Sequence, residues 1–272
     1  MSQGQPASEQ LGRERRDIER ELRRIWQDAV DHRQPLPGEH ALAAELGVSR
    51  PRIREQLVRL EQEGLIARRR GAETVVNIAA GDIDVRFDTQ IDYAAMLRER
   101  GYHVAVEVLS ASLRQLQEGE PELFAVPSEW SALNVVKRWR ADGEVLVVAD
   151  DILPVPPQIH LNDLDLSAEI AALAAEVLGV PVEWTIAEPG ALLLDETLSA
   201  RIEQPAGSAV LSIDITGVGR DGRRSFRARE LHVPGRVRFG FIRSRHLDRS
   251  AHLAEVSRLT RQSKRRGRGR QS

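Results

Sequence analysis

Gly47 constrains this chain more than any other single residue. It stands between two short stretches with helical apolar spacing. In residues 39–46, Leu42 and Leu46 lie one turn apart; after Ser49, residues Ile53, Leu57 and Leu60 form one face. Gly47 tolerates the positive φ that closes a helix, and Ser49 is suited to capping the next, so two helices joined by a tight turn are expected. Upstream, Ile18, Leu22, Ile25, Trp26 and Ala29 mark a third, amphipathic helix, which Gln34-Pro35-Leu36-Pro37-Gly38 breaks. Downstream, the helix begun at Ser49 stops at Gly64. Leu65-Ile66-Ala67-Arg68-Arg69-Arg70 and Thr74-Val75-Val76 then flank Gly71-Ala72-Glu73 as a two-stranded wing. The expected unit, residues 9–77, is a winged helix-turn-helix.

In that geometry the first turns of the second helix of the pair enter the major groove of DNA. Here they carry Arg50, Arg52 and Arg54. Arg50 and Arg54, four apart, share a helix face, and an arginine fork bonds two acceptors of guanine or grips phosphates. The basic first strand of the wing suits phosphate contact or an adjacent minor groove. Charge is distributed accordingly: seven arginines and three glutamates lie between Ser49 and Gly71, whereas residues 78–263 carry 20 bases and 28 acids, a net of −8. A basic surface beside an acidic body is what a polyanion binder needs, although solvated charged faces would give the same count.

The run Leu36-Pro37-Gly38-Glu39, Leu42-Ala43, Leu46-Gly47-Val48-Ser49-Arg50, Ile53-Arg54, Leu57, Leu60-Glu61, Glu63-Gly64-Leu65 and Arg69-Arg70-Gly71 resembles the N-terminal signature of GntR-family regulators. The resemblance implies DNA contact by Arg50, Arg54 and Gly71. The full candidate set is Glu39, His40, Ser49, Arg50, Arg52, Arg54, Arg69, Arg70 and Gly71. This chain departs from the family at His40, where an arginine is usual, and at Glu73, where the wing usually has a second glycine.

Residues 78–85 are expected to be a linker, and beyond them the pattern becomes mixed. Residues 92–100 have helical character stopped by Gly101, while Val104, Val106, Val108, then Leu133, Val135, and later Leu211, Ile213, Ile215 alternate as half-buried antiparallel strands do. Asp142-Gly143 and Asp221-Gly222 are hairpin signals. Between them a helix is expected with Ser167 as N-cap, Ile170, Leu173, Ala174, Val177 and Leu178 as its face, and Gly179 as its stop; a further helix is expected around residues 192–203. The fold class is therefore α+β, a helical N-terminal domain followed by an antiparallel sheet.

The order of these elements resembles the UTRA effector-binding domain of the HutC subfamily of GntR regulators, a domain with the chorismate-lyase fold. The residues that carry it are Phe87, Arg98-Glu99-Arg100-Gly101, Lys137-Arg138-Trp139-Arg140-Ala141-Asp142-Gly143, Ile152-Leu153-Pro154, Val177-Leu178-Gly179 and Arg236-Val237-Arg238-Phe239. The domain is assigned to residues 86–248, with a basic disordered tail over 249–272. The resemblance implies a pocket for a small anionic or sugar-like effector, lined from the first strand pair and the late hairpin. Arg138 and Arg140, two apart on a strand, project to one side, and Arg227 and Arg229 do the same. With Phe87 and Glu230 they form the candidate effector site, and convergent guanidiniums suit a phosphate or carboxylate. A solvated sheet face is the other reading of these arginines. Departures from the family stand at Arg86, Ala149, Ile152, Ala228 and Glu230.

The expected function is sequence-specific regulation of transcription by a homodimer on a palindromic operator, repression being relieved by the effector. Two other classes are weighed beside it: a charge-driven nucleoid protein using the basic tail from Lys264 to Arg270, and a DNA-tethered chorismate-lyase-like enzyme. No nucleophile–base order, paired-acid motif, phosphate loop or metal spacing accompanies the second, and the seven histidines are scattered, so no enzyme, cofactor or metal is expected. With no cysteines, no apolar run of about 18 residues and no signal-like N-terminus, a cytoplasmic, non-membrane protein is expected.

Overall fold

The computed structural model describes residues 7–69, 71–87 and 92–243, with residues 7–16 given by backbone alone. The chain divides into two units, Met1–Ile83 with Phe241–Ser272, and Asp84–Gly240.

The first unit contains α1 (Ala7–Asp31), α2 (Glu39–Glu45), α3 (Arg50–Gln62), β1 (Ile66–Ala67) and β2 (Val75–Val76). The apolar stripe of α1 is buried as its spacing required: Leu22, Ile25, Trp26 and Ala29 pack with Leu42, Ile53, Leu57, Leu60 and Leu65 in one core. The Trp26 indole donates to the Leu65 carbonyl at 2.9 Å, tying α1 to the start of the wing. Gly47 has φ +64, the left-handed conformation that turns the chain from α2 into α3. β1 and β2 pair antiparallel, and Leu36 bridges to Thr74 beside them.

Two sequence expectations change here. The linker is not an open tether: residues Ile78–Asp82 form a 3₁₀ turn whose Ala80 is buried in the N-terminal core. The effector domain, expected to run to residue 248, gives up residues 241–243, which group with the first unit. The local reason is Gly64, whose φ of +75 and missing side chain let Ile242 pack on the end of α3; a Cβ at that position would meet Ile242 Cγ2 at 2.5 Å. Residues 244–272, including the basic tail, lie outside the described residues.

The second unit runs β3 (Val85–Arg86), α4 (Tyr93–Glu99), β4 (Val104–Gln115), α5 (Glu120–Phe124), β5 (Ser131–Ala141), β6 (Glu144–Val155), α6 (Ile170–Leu178), β7 (Val182–Leu193), α7 (Glu196–Ile202), β8 (Ala209–Gly219), β9 (Arg224–His232) and β10 (Phe239–Gly240). Six strands form an antiparallel sheet in the order β4-β5-β6-β9-β8-β7, and β3 pairs parallel with β10. Asp142 and Gly143, both at positive φ, make the tight turn between β5 and β6 that their sequence announced. The N-cap of α6 is Glu169, whose carboxylate accepts from Ala172 N, while Ser167 instead bonds Asp165. Residues 192–193 belong to β7, and the helix expected there starts later, capped by Asp195.

Helices cover both faces of the central strands β5, β6 and β9, while β4 and β7 at the edges stay largely exposed, and the side-chain alternation divides the central residues between the two faces. On one face α6 packs over Leu133, Val135, Leu153 and Phe226, and α4 over Trp139, Val147 and Ala149. On the other, Ile202 of α7 packs over Val136, Val148 and Leu231.

Candidate functional site

The candidate DNA-contacting residues gather at the start of α3, the start of α2 and the wing. Ser49 occupies the N-cap position in extended conformation, but its hydroxyl makes no capping bond, and Pro51 in the first turn supplies the helical φ. Arg50 and Arg54 are exposed on the same face, with Arg52 half-buried. Arg54 is held in a two-pronged contact: its Nε donates to Glu39 Oε1 at 3.1 Å and its Nη2 to Glu39 Oε2 at 2.8 Å. Arg68 lies 3.8 Å from the same carboxylate and bonds Glu61 through Nε, Nη2 and its backbone N–H. The Arg54 hydrogen bonds hold the Glu39 carboxyl below its ordinary pKa, so Glu39 stays ionised and fixes the fork. His40, Arg69, Gly71 and Glu73 are exposed, and Gly71 takes φ +76 at the wing tip. Arg70 lies outside the described residues.

The effector candidates do not come together. Arg138 and Arg140 project to the α7 side of the sheet, where both bond Glu107 and Glu203: Arg138 Nε reaches Glu107 at 2.6 Å and Arg140 Nε at 3.0 Å. Two guanidiniums and two carboxylates close on one another there, clamping the end of α7. Arg229 pairs with Asp214 of the neighbouring strand at 2.7 Å, and Arg227, two residues earlier on β9, shares its parity. The anion site expected from convergent arginines is therefore not formed. The same-side reasoning was sound for each pair, but the side is the one that α7 covers.

The opposite face holds two adjoining cavities, and Phe87 and Glu230 are the two candidates that line them. The larger, about 390 Å³, lies between the sheet, α4 and the approach to α6. Its floor follows the strand register, in which Lys137 of β5, Ala149 of β6 and Glu230 of β9 stand in one row. The small Ala149 leaves depth between the two charged neighbours. Glu230 accepts from the Tyr93 hydroxyl at 2.7 Å and contacts His232 Nε2 at 3.1 Å. Burial and the adjacent Glu230 push the Tyr93 phenol far above its ordinary pKa, so it remains a donor. Lys137 is buried, donating to the Ala168 carbonyl at 2.7 Å and lying 2.9 Å from Asp151 Oδ2. The ammonium answers Oδ2 alone, and Oδ1 of buried Asp151 has no hydrogen-bond partner. Burial pushes Asp151 up to about 6, with Lys137 pulling the other way.

Lys137, Trp139, Tyr93 and Asp151 were not among the sequence candidates. A signal was available: Lys137 and Trp139 continue the Leu133, Val135 alternation and so share the face of the core.

Residues 15–76 match the family described as "Bacterial regulatory proteins, gntR family", and residues 99–238 match the UTRA domain. The chain belongs to the GntR-family transcriptional regulators with a UTRA effector-binding domain. The regulator is 27% identical over 190 residues to the HTH-type transcriptional regulator Mce2R of Mycobacterium tuberculosis, covering 68% of this chain and 76% of that one. Its fold is that of YydK from Bacillus subtilis, titled a possible transcriptional regulator, with TM-score 0.60, 17% identity, and coverage of 85% of this chain and 99% of the other. PhnF from Mycobacterium smegmatis superposes with TM-score 0.52 at 20% identity, covering 84% and 99%. Among the described residues, no helix is long and apolar enough to cross a membrane.

Proposed function

We propose that the regulator reads DNA with Arg50, Arg52 and Arg54, that His40, Ser49, Arg69 and Gly71 contact the backbone beside them, and that Glu39 orients Arg54 rather than touching DNA. The observation that carries this reading is the two-pronged Glu39–Arg54 pair, which presets an exposed guanidinium on the groove-facing turn. The working unit is a cytoplasmic homodimer on a palindromic operator, because one recognition helix reads half a site and two-fold symmetry supplies the other half. It acts as a repressor and not as an enzyme. A small molecule seated in the α4–α6 cavity relieves repression by altering how the DNA-binding units are presented.

The test is selection of bound sequences from random duplex DNA, repeated with Arg50→Ala and Arg54→Ala. The wild type should enrich one inverted repeat, and each variant should lose preference at defined positions within it. Selection of the same site with undiminished preference by both variants would refute the assignment.

A further inference from the structure

The charges around the α4–α6 cavity specify its occupant more closely than the family does. Five carboxylates line it against two cations. Three of the five are already engaged: Asp92 caps α4, Glu169 caps α6, and Asp165 holds Ser167. The other two stand on the floor, each with one oxygen already met: Asp151 Oδ2 by Lys137, and Glu230 Oε2 by the Tyr93 hydroxyl and His232 Nε2. Asp151 is buried; Lys137 meets its Oδ2, but its Oδ1 has no hydrogen-bond partner, an arrangement that folded proteins rarely leave unanswered. Of the two cations, Lys137 is committed to the Ala168 carbonyl and to Asp151, and Arg98 is exposed at the rim. Arg138, Arg140 and Arg229, three of the arginines expected to grip an anion, are paired with carboxylates on the other face. Tyr93 and Trp139 add aromatic walls, and Lys137 Nζ already lies 5.7 Å from the centre of the Trp139 ring, a distance at which that ring favours a cation.

We infer that the cavity takes an organic cation, its ammonium or guanidinium group donating to Asp151 and Glu230 beside the rings of Tyr93 and Trp139. An anion seated on the floor would face these same two carboxylates with little water to screen them. The inference rests on the cavity being the effector site, and it narrows that reading from a small molecule to a positively charged one.

Three probes of matched length and different charge decide it: 1,4-diaminobutane, 1,4-butanediol and succinate, each added to the full-length regulator at equal ionic strength. Thermal unfolding and calorimetric titration should show saturable binding of the diamine and none of the other two. Asp151→Asn and, separately, Glu230→Gln should each weaken the diamine by about tenfold or more, since each removes a charged acceptor. Arg138→Gln, on the opposite face, should leave it unchanged. Preference for succinate would overturn the inference. So would the absence of diamine binding at tens of millimolar, or diamine binding that survives both carboxylate variants. Operator affinity measured with and without the diamine separates the two readings. Asp151-dependent binding that leaves DNA affinity unaltered keeps the ligand class and removes the regulatory role.

Discussion

Replacing Lys137 by methionine tests the electrostatics of the cavity floor directly. The two side chains of the Lys137–Asp151 pair are 1% and 2% exposed, so water cannot take over for the missing ammonium. Methionine keeps most of the aliphatic stem and removes the charge, which isolates the ionic contribution from packing. Breaking one side of a buried pair costs about 3–5 kcal/mol, because the partner is left charged in a poor solvent. At about 2–4 °C per kcal/mol for a unit of this size, melting should fall by roughly 6–20 °C near pH 7.5. The pH dependence follows from the sign of the Asp151 shift. Its folded pKa, about 6 with Lys137 present, is raised above the ordinary carboxylate value and rises further without the lysine. A raised folded pKa gives stability that is full at acid pH and lost as pH climbs through that pKa. The deficit of Lys137→Met should therefore shrink or reverse near pH 4.5 and widen toward pH 7.5. Urea unfolding at the two pH values, with scanning calorimetry beside it, measures this. Lys137→Met with Asp151→Leu should recover most of the loss, since an apolar pair needs no compensation. A single-variant loss under about 1 kcal/mol that does not change with pH would refute the reasoning, because 3–5 kcal/mol is expected from a truly desolvated pair.

Three further outcomes are expected. Glu39→Gln frees the Arg54 fork while removing a negative charge near the DNA, so competition binding should show the ratio of operator to random-duplex affinity falling by about tenfold, with random-duplex affinity held or increased. Gly217→Ala places a Cβ 2.1 to 2.7 Å from ring atoms of buried Phe226, and denaturant midpoints should show a loss of roughly 1–3 kcal/mol from overpacking. Glu203→Gln opens the clamp on α7. Arg140 and Arg138 hold the Glu203 carboxyl below its ordinary pKa, so its contribution is present above the usual carboxylate range and fades as pH falls through the lowered value. Wild type and variant should differ in urea midpoint at pH 7 and converge in acid.

Much of the DNA-binding unit was legible from residues 18–76, because the signals that set its elements are local even though its core contacts are not. The α1 stripe, Gly47 and the α3 face each act within a few turns of chain, and the structure buries Leu22, Leu42, Ile53 and Leu57 as their spacing required. The same holds for the Asp142-Gly143 turn. Helix caps were less legible: Ser167 and Glu169 both have capping side chains, and only the placement of Asp165, which takes up the serine hydroxyl, decides between them.

By itself the sequence determined a winged helix-turn-helix with exposed arginines at the start of its recognition helix, followed by an antiparallel sheet domain. Periodicity of 3.6 or 2, turn residues and charge are written along the chain, and they suffice for that. What only the tertiary structure decided was the side of the sheet on which each strand residue falls. Alternation separates Arg138 and Arg140 from Lys137 and Trp139, but β5 is buried on both faces, so its pattern cannot mark which one faces the cavity. That depends on where α4, α6 and α7 pack, through contacts from residues far away in sequence. Those contacts turn the arginines toward Glu107 and Glu203 and leave Asp151 and Glu230 on the cavity floor.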